Sequence, residues 1–264
     1  MSLVFAAITP HPPLLIPSIG KDAIKKIERT RQAFLKLEED LYAVHPDVIV
    51  IISPHGRQFP DAFIINMAPK YESDLKEFGD LATKISFNGD ITLPYNIRSA
   101  CNIDHTCETV IISEPKLDHG IVVPLFYLTK HLPDTKILPI SFSEFDEKTH
   151  LEFGAILKDQ IMTNNKRIAV IASADLSHAL SNDAPAGFNK NGEIFDKKIQ
   201  EVLASHNTAG LLSLDKELVS GASECGLRSI LILMGILRDV NYRYESYAYE
   251  APFGVGYLTA NFII

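Results

Sequence analysis

Four histidines fall where strand-like runs end or loops turn: His11 in TPHPPLL, His55 in ISPHG, His119 in LDHG and His178 in SADLSH. Late in the chain Glu224 follows in SECGLRS, with Cys225 beside it. Two neutral imidazoles and one carboxylate, around an ion that keeps open positions, form the donor set of non-haem iron(II) oxygenases. Imidazoles left over can carry protons near neutral pH. The residues are spread over the whole chain, so one fold must gather them, and metal-dependent chemistry is the leading reading.

Each residue also has a plainer explanation. His11 stands between Pro10 and Pro12, whose rings restrict the backbone and hold the imidazole in one direction; the alternative is a loop histidine without a role. His55 precedes Gly56, where the backbone can turn sharply; alone it reads equally well as a surface turn residue. Glu224 brings the negative charge two imidazoles lack, or it complements the dipole at the start of the apolar helix that follows. Cys225 is the rival third ligand, a thiolate that suits zinc. Open-site oxygen chemistry tips the choice towards Glu224. His178 lies three residues after Asp175, a carboxylate placed to orient the ring or raise its pKa, so His178 reads as an acid-base group. The alternative makes Asp175 a helix cap. His119, after Asp118, is a second acid-base or substrate-positioning candidate, or a helix N-terminal histidine. His45, His105, His131, His150 and His206 sit in polar surroundings and read as surface or structural.

The elements that must position these groups alternate. Leu3–Ile8 and Asp47–Ile52 read as buried strands, and Lys21–Val44 between them as an amphipathic helix, which predicts a parallel pair. Phe63–Asn66, Lys136–Ser141 and Arg167–Ala172 read as further strands. Helices are predicted over His119–His131, with Pro124 as a kink or first-turn residue, and over Thr149–Gln160, Glu193–Ser205, Thr208–Leu214 and Gly226–Arg238. Asp104–Ile112 reads as a turn leading into a helix, and Ser181–Gly192 as a loop. Val240–Ala248 and Gly256–Ile263 read as an antiparallel pair around Pro252–Gly254. The fold class is therefore α/β, a single domain over residues 1–264 with a mostly parallel central sheet flanked by helices. Ligands of such sheets sit beyond the carboxyl ends of the strands, where His11, His55 and His178 all fall.

Composition narrows the function classes. The chain has 264 residues, 46% hydrophobic and 22% charged, enough for one sizeable core. A net charge of -8 disfavours nucleic acid and anionic membranes as partners. Three cysteines without CxxC spacing argue against a disulfide scaffold and fit the cytoplasm. The apolar start MSLVFAAITPHPP lacks a basic region and runs into prolines, so no signal peptide is expected. No apolar run approaches the roughly 18 residues of a membrane span. Ser53, Ser173 and Ser177 form no GxSxG elbow, and no phosphate-binding glycine motif is present.

As a set, HPPLLIP, SPHG, LDHGIVVPL, SADLSH, ECGLRS and YEAPFGVGY resemble the class III extradiol ring-cleavage dioxygenases of the LigB type, and more distantly the Memo proteins of the same superfamily. The resemblance spans nearly the whole chain and is nearest to the branch associated with AMMECR-type domains. With the sequence ending at Ile264, no fused domain of that kind is expected. The resemblance implies Fe(II), with zinc or manganese as alternatives, bound by His11, His55 and Glu224. It implies His178 as the acid-base residue and His119 as a further active-site histidine. In the Memo proteins a cysteine in a Cys-Gly step takes the third ligand position, which here matches Cys225. The implied reaction is opening of a catechol-type ring with O2 as co-substrate. A metal-pocket binding protein without ring cleavage and a zinc-dependent hydrolase are the alternatives. A homodimer or a partner subunit is implied for the assembly.

Overall fold

The computed structural model describes residues 2–104 and 107–264. In chain order the elements are β1 (Leu3–Thr9), α1 (Pro17–Gly20), α2 (Glu28–Val44), β2 (Val48–Ser53), β3 (Phe63–Asn66), β4 (Lys70–Ser73), β5 (Ser86–Asn88), α3 (Leu93–Asp104) and β6 (Thr109–Ile112). They continue with β7 (Lys116–Leu117), α4 (His119–Leu128), β8 (Lys136–Ser141), α5 (Glu147–Met162), β9 (Ile168–Ser173), α6 (Lys190–Ala204), α7 (Thr208–Leu212), α8 (Lys216–Ala222), α9 (Leu227–Ile236), β10 (Arg243–Glu250) and β11 (Tyr257–Ile263).

One eight-stranded sheet carries the domain, in the order β10-β11-β1-β9-β2-β8-β3-β6. Its centre, β1, β9, β2 and β8, is parallel. The C-terminal hairpin β10–β11 adds antiparallel to β1, and β3 adds antiparallel to β8 with β6 parallel beside it. A small second sheet runs β5-β4-β7. The expected α/β fold, with its C-terminal antiparallel pair, is the observed one.

Strand periodicity splits the core in two. Ala6, Ile8, Val48, Val50 and Ile52 face the cluster that contains residues of α3, α5, α6 and α9. Phe5, Ala7, Ile49 and Ile51 face the other, with α2 and α4. Successive side chains of a strand point to opposite faces, so central strands covered on both sides read as unbroken apolar runs. That is why DVIVII and RIAVIA carry no alternation.

The centre of the sheet also levels the strand ends. Thr9 pairs with Ser173, and Ile52 with Ala172, so β1, β9 and β2 finish side by side. The segments after them carry His11, His55, Asp175 and His178 on one edge of the domain.

Several expectations change in detail. β1 and β2 are parallel but not neighbours, because β9 inserts between them. The Lys21–Val44 helix begins as a 3-10 segment over Lys21–Ile27 and becomes α-helical at Glu28. The helix expected within Asp104–Ile112 is instead the end of α3 followed by strand β6. Thr109, Val110, Ile111 and Ile112 are β-branched and stiff at χ1, which favours the strand. α1, α3, α8 and the small sheet carry weaker patterns and have no counterpart among the elements read from sequence. His105 lies outside the described residues. Among the described residues no single helix is long and apolar enough to cross a membrane.

Candidate metal centre

Three side chains converge where β1 and β2 end and α8 meets α9. The ligating atoms of His11, His55 and Cys225 all lie within 4.8 Å of one another. His11 Nε2 is 3.0 Å from His55 Nε2 and 3.5 Å from Cys225 Sγ.

His11 is buried and held at two points. Its backbone N–H donates to Asp175 Oδ1 at 2.8 Å, and its Nδ1 lies 2.8 Å from Ser173 Oγ. Ser173 Oγ donates to the Gly120 carbonyl at 2.5 Å. A hydroxyl has one proton, so towards His11 it can only accept. Nδ1 therefore carries the ring proton, and the Nε2 lone pair faces His55 and Cys225. The reason Gly120 has a carbonyl to offer lies in α4: Pro124 stands four residues on, inside the helix, with no N–H to return. Gly120 itself has no room for a side chain, because a Cβ would stand 2.5 Å from Ser53 Oγ.

His55 is exposed along one side. With the His11 Nε2 lone pair opposite, the 3.0 Å contact is a hydrogen bond donated by His55 Nε2–H. Loss of water around the ring, then the neighbouring His119 and His178, push its pKa down to about 4. Burial, then His55, His119 and His178, hold His11 well below its ordinary value. Both rings are neutral at pH 7, the form in which imidazole binds a metal.

For the third position the sequence offers two neighbours, Glu224 first and Cys225 as its alternative. Glu224 Oε2 accepts the Leu227 N–H at 2.5 Å at the start of α9. Cys225, one residue on, presents Sγ to His11 instead. The chain turns here through Ser223, whose φ of 51° is left-handed, and α8 and α9 meet at 119°. Burial, then Asp175 and Glu224, push the Cys225 thiol well up from its ordinary value.

His119 opens α4 and stacks on His55, with ring centroids 4.2 Å apart and planes 26° apart. Burial pushes its pKa down to about 4. His178 lies close enough for its charge to lower the pKa of both His11 and His55. Its Nδ1–H donates to the Leu176 carbonyl at 3.1 Å, which leaves the Nε2 lone pair for a proton. This corrects the role expected of Asp175. That carboxylate grips the His11 backbone rather than orienting His178, and the His178 pKa is lowered by burial rather than raised. Asp175 itself is pushed up to about 7 by burial, against the pull of the His11 N–H bond.

Two partners were missed from sequence. In sequence Ser173 reads only as a possible nucleophile; the signal for its hydrogen bond is the proline four residues after Gly120. Asp118 accepts from Ser53 Oγ at 2.6 Å under His55, and burial raises it to about 6. A cleft of about 140 Å³ opens beside His55, lined by Arg57, Asn66, Glu114, Asp118 and Ser141.

The donor set fits a single ion. Around a tetrahedral ion with bonds of about 2.0 Å, two imidazole nitrogens stand roughly 3.3 Å apart, and His11 and His55 are already near that spacing at 3.0 Å. Fold and site together thus define an α/β protein with a candidate mononuclear metal centre at the carboxyl edge of its sheet. The chain belongs to the family of the catalytic LigB subunit of aromatic ring-opening dioxygenase, which it matches over residues 5–260.

Its relatives are consistent with that membership. The chain is 33% identical over 265 residues to protein CA_C1420 of Clostridium acetobutylicum, covering 97% of this chain and 57% of that protein. It thus spans little more than half of that relative. A MEMO1 family protein of Methanosarcina mazei is 42% identical over 64 residues, 24% of each chain. The crystal structure of the uncharacterized protein JW3007 from Escherichia coli K12 shares the fold, with a TM-score of 0.68 at 14% identity over 98% of this chain and 99% of that one.

Proposed function

We propose that this chain is a metal-dependent extradiol dioxygenase that opens a catechol-type ring with O2. The observation that carries the reading is the convergence of His11 Nε2, His55 Nε2 and Cys225 Sγ within 4.8 Å, with His119 and His178 neutral beside them. In this reading His11, His55 and Cys225 hold the ion, and Glu224 serves the helix. Fe(II) is the leading choice, with zinc or manganese as alternatives. When bound, the ion would supply a Lewis acid for both substrate hydroxyls and a route for electrons to dioxygen.

The chain's own residues then divide the remaining work. His178 Nε2 takes a proton from a catechol hydroxyl, because its Nδ1 is committed to Leu176. His119, held face to face with His55, lines the substrate side and positions the ring. Asp175 and Ser173 keep His11 from rotating, by the backbone and by the ring respectively. Across the reaction one ring C–C bond beside a hydroxylated carbon breaks and both oxygen atoms of O2 enter the product.

A second reading, a Memo-like metal pocket without ring cleavage, is favoured by one observation: a thiol stands where a carboxylate was expected. Thiolate is a softer donor and suits zinc as well as iron. Anaerobic loading with Fe(II), followed by oxygen uptake with a panel of catechols, separates the two. Uptake with a yellow ring-opened product supports the dioxygenase. Tight zinc and no uptake with any catechol supports the binding protein. The low cysteine count supports placing the protein in the cytoplasm; a homodimer or a partner subunit is what the family resemblance implies for the assembly.

A further inference from the structure

The loop that carries His178 has a brace of its own. Asp196, on α6, is 1% exposed. Its Oδ1 accepts the Ser177 N–H at 2.8 Å, and its Oδ2 accepts the Tyr249 hydroxyl, from β10, at 2.7 Å. Among the described residues no cation contributes to its ionisation; burial pushes its pKa up to about 6, and the two hydrogen bonds pull the other way. A buried carboxylate without a cation is costly to keep. The fold makes space for it at Gly256, where a Cβ would stand 2.0 Å from Oδ2.

The same backbone unit is gripped from its other side. The Gly256 N–H donates to the Ser177 carbonyl at 2.8 Å, and the Leu176 N–H donates to the Gly256 carbonyl at 2.8 Å. Leu176 is the residue whose carbonyl receives His178 Nδ1–H. Ser177 Oγ donates to the Ala222 carbonyl at 2.9 Å, and the His178 N–H reaches that carbonyl at 3.0 Å. The polar backbone groups of Leu176 and Ser177 and the His178 N–H are therefore committed, with two helices holding the segment: α8 through the Ala222 carbonyl and α6 through the Asp196 carboxylate.

We propose that Asp196 is a positioning residue for His178: its carboxylate, tethered by Tyr249, fixes the Ser177 peptide and through it the direction of the imidazole. The kinetic part of this inference rests on the proton-transfer role proposed above; the geometric part does not. Asp196 touches neither the three ligating side chains nor the cleft beside His55. Its loss should therefore leave metal binding alone and act on His178.

The test uses the full chain, loaded with Fe(II), as the variants D196A, D196N and Y249F. Replacing Asp196 by Ala should lower kcat about tenfold or more, since small misplacements of a reacting group are that expensive. Fe(II) affinity should stay at the wild-type value, since Asp196 is not among the ligating side chains. Asn keeps an oxygen for the Ser177 N–H, so D196N should recover most of the loss. Adding D196A to H178A should slow the enzyme no further, because the two act as a unit. Independently of any activity, the His178 ring resonance of metal-free protein carrying 13C-labelled histidine should move or broaden in D196A, while those of His45 and His131 stay. If D196A does not fold, Y249F, which removes only the tether, should show the same displacement in smaller degree. An unchanged His178 resonance in the folded variants, or a multiplicative loss in D196A/H178A, overturns the proposal. A wild-type protein that cleaves no catechol would refute the dioxygenase reading and leave the resonance to decide this one.

Discussion

Ser173 and His11 form a hydrogen bond whose direction is set by a proline in another element. Ser173 Oγ gives its proton to Gly120, whose carbonyl Pro124 cannot reach, and so receives the proton of His11 Nδ1. Neutral imidazole has two tautomers, and this contact selects the one whose Nε2 can bind an ion. S173A should weaken metal binding by about tenfold to a hundredfold, the usual consequence of losing a ligand's outer hydrogen bond. Titration of the metal-free protein with Fe(II) or Zn(II) measures it. Wild-type affinity in S173A would show that the tautomer is held by something else.

Glu224 and Cys225 make opposite predictions although they adjoin. C225S should lose metal, with affinity reduced at least about tenfold. E224A should keep its metal and lose about 1 kcal/mol of stability, because it removes the acceptor of the Leu227 N–H. Metal content and denaturant unfolding of the two variants settle the assignment. The reverse pattern would return the ligand role to Glu224.

His178 should separate catalysis from metal binding. H178N keeps an N–H donor for the Leu176 carbonyl and removes the Nε2 base, so turnover should fall by about 10²- to 10⁴-fold. Bound metal per chain should not change. Equal losses of both would count against the proton-transfer role.

Acid sensitivity should have a contribution far from the site. His150 is fully buried against Phe63 and Phe142; its Nδ1–H donates to the Asp146 carbonyl at 2.7 Å, and among the described residues its Nε2 has no hydrogen-bond partner. Burial lowers its pKa, against the Asp146 hydrogen bond. The unfolded chain therefore binds this proton near pH 6.5 while the folded chain does not, and stability rises with pH across that window. Its contribution is whole above pH 6.5 and is lost as pH falls towards the lowered folded value. H150Q should lose less stability than wild type between pH 7.5 and pH 5, compared by denaturant unfolding. Parallel losses would assign the acid sensitivity elsewhere.

Much of this architecture was legible in the residues. DVIVII and RIAVIA are β-branched runs too apolar for a half-exposed strand, which is enough to place them at the centre of a doubly covered sheet. Histidines directly after such runs belong on the carboxyl edge, and His11 and His55 do meet there. Local pattern failed where signals were weak or borrowed. Thr109–Ile112 is a strand because β3 offers it a partner, and β3 is more than forty residues away in sequence.

By itself the sequence determined the fold class, the strands that end at the site, and the pool of imidazole, thiol and carboxylate groups from which an ion centre is drawn. These follow from short-range physics: periodicity, β-branching, and the places where proline and glycine stop a strand. Only the tertiary structure shows which of Glu224 and Cys225 faces His11, the tautomer of His11, and the partner of Asp175. Each depends on which lone pair or N–H from a remote element lies within about 3 Å. One residue of advance after Ser223 swaps a carboxylate for a thiol, and only the angle at which α8 meets α9 says which of them faces the histidines.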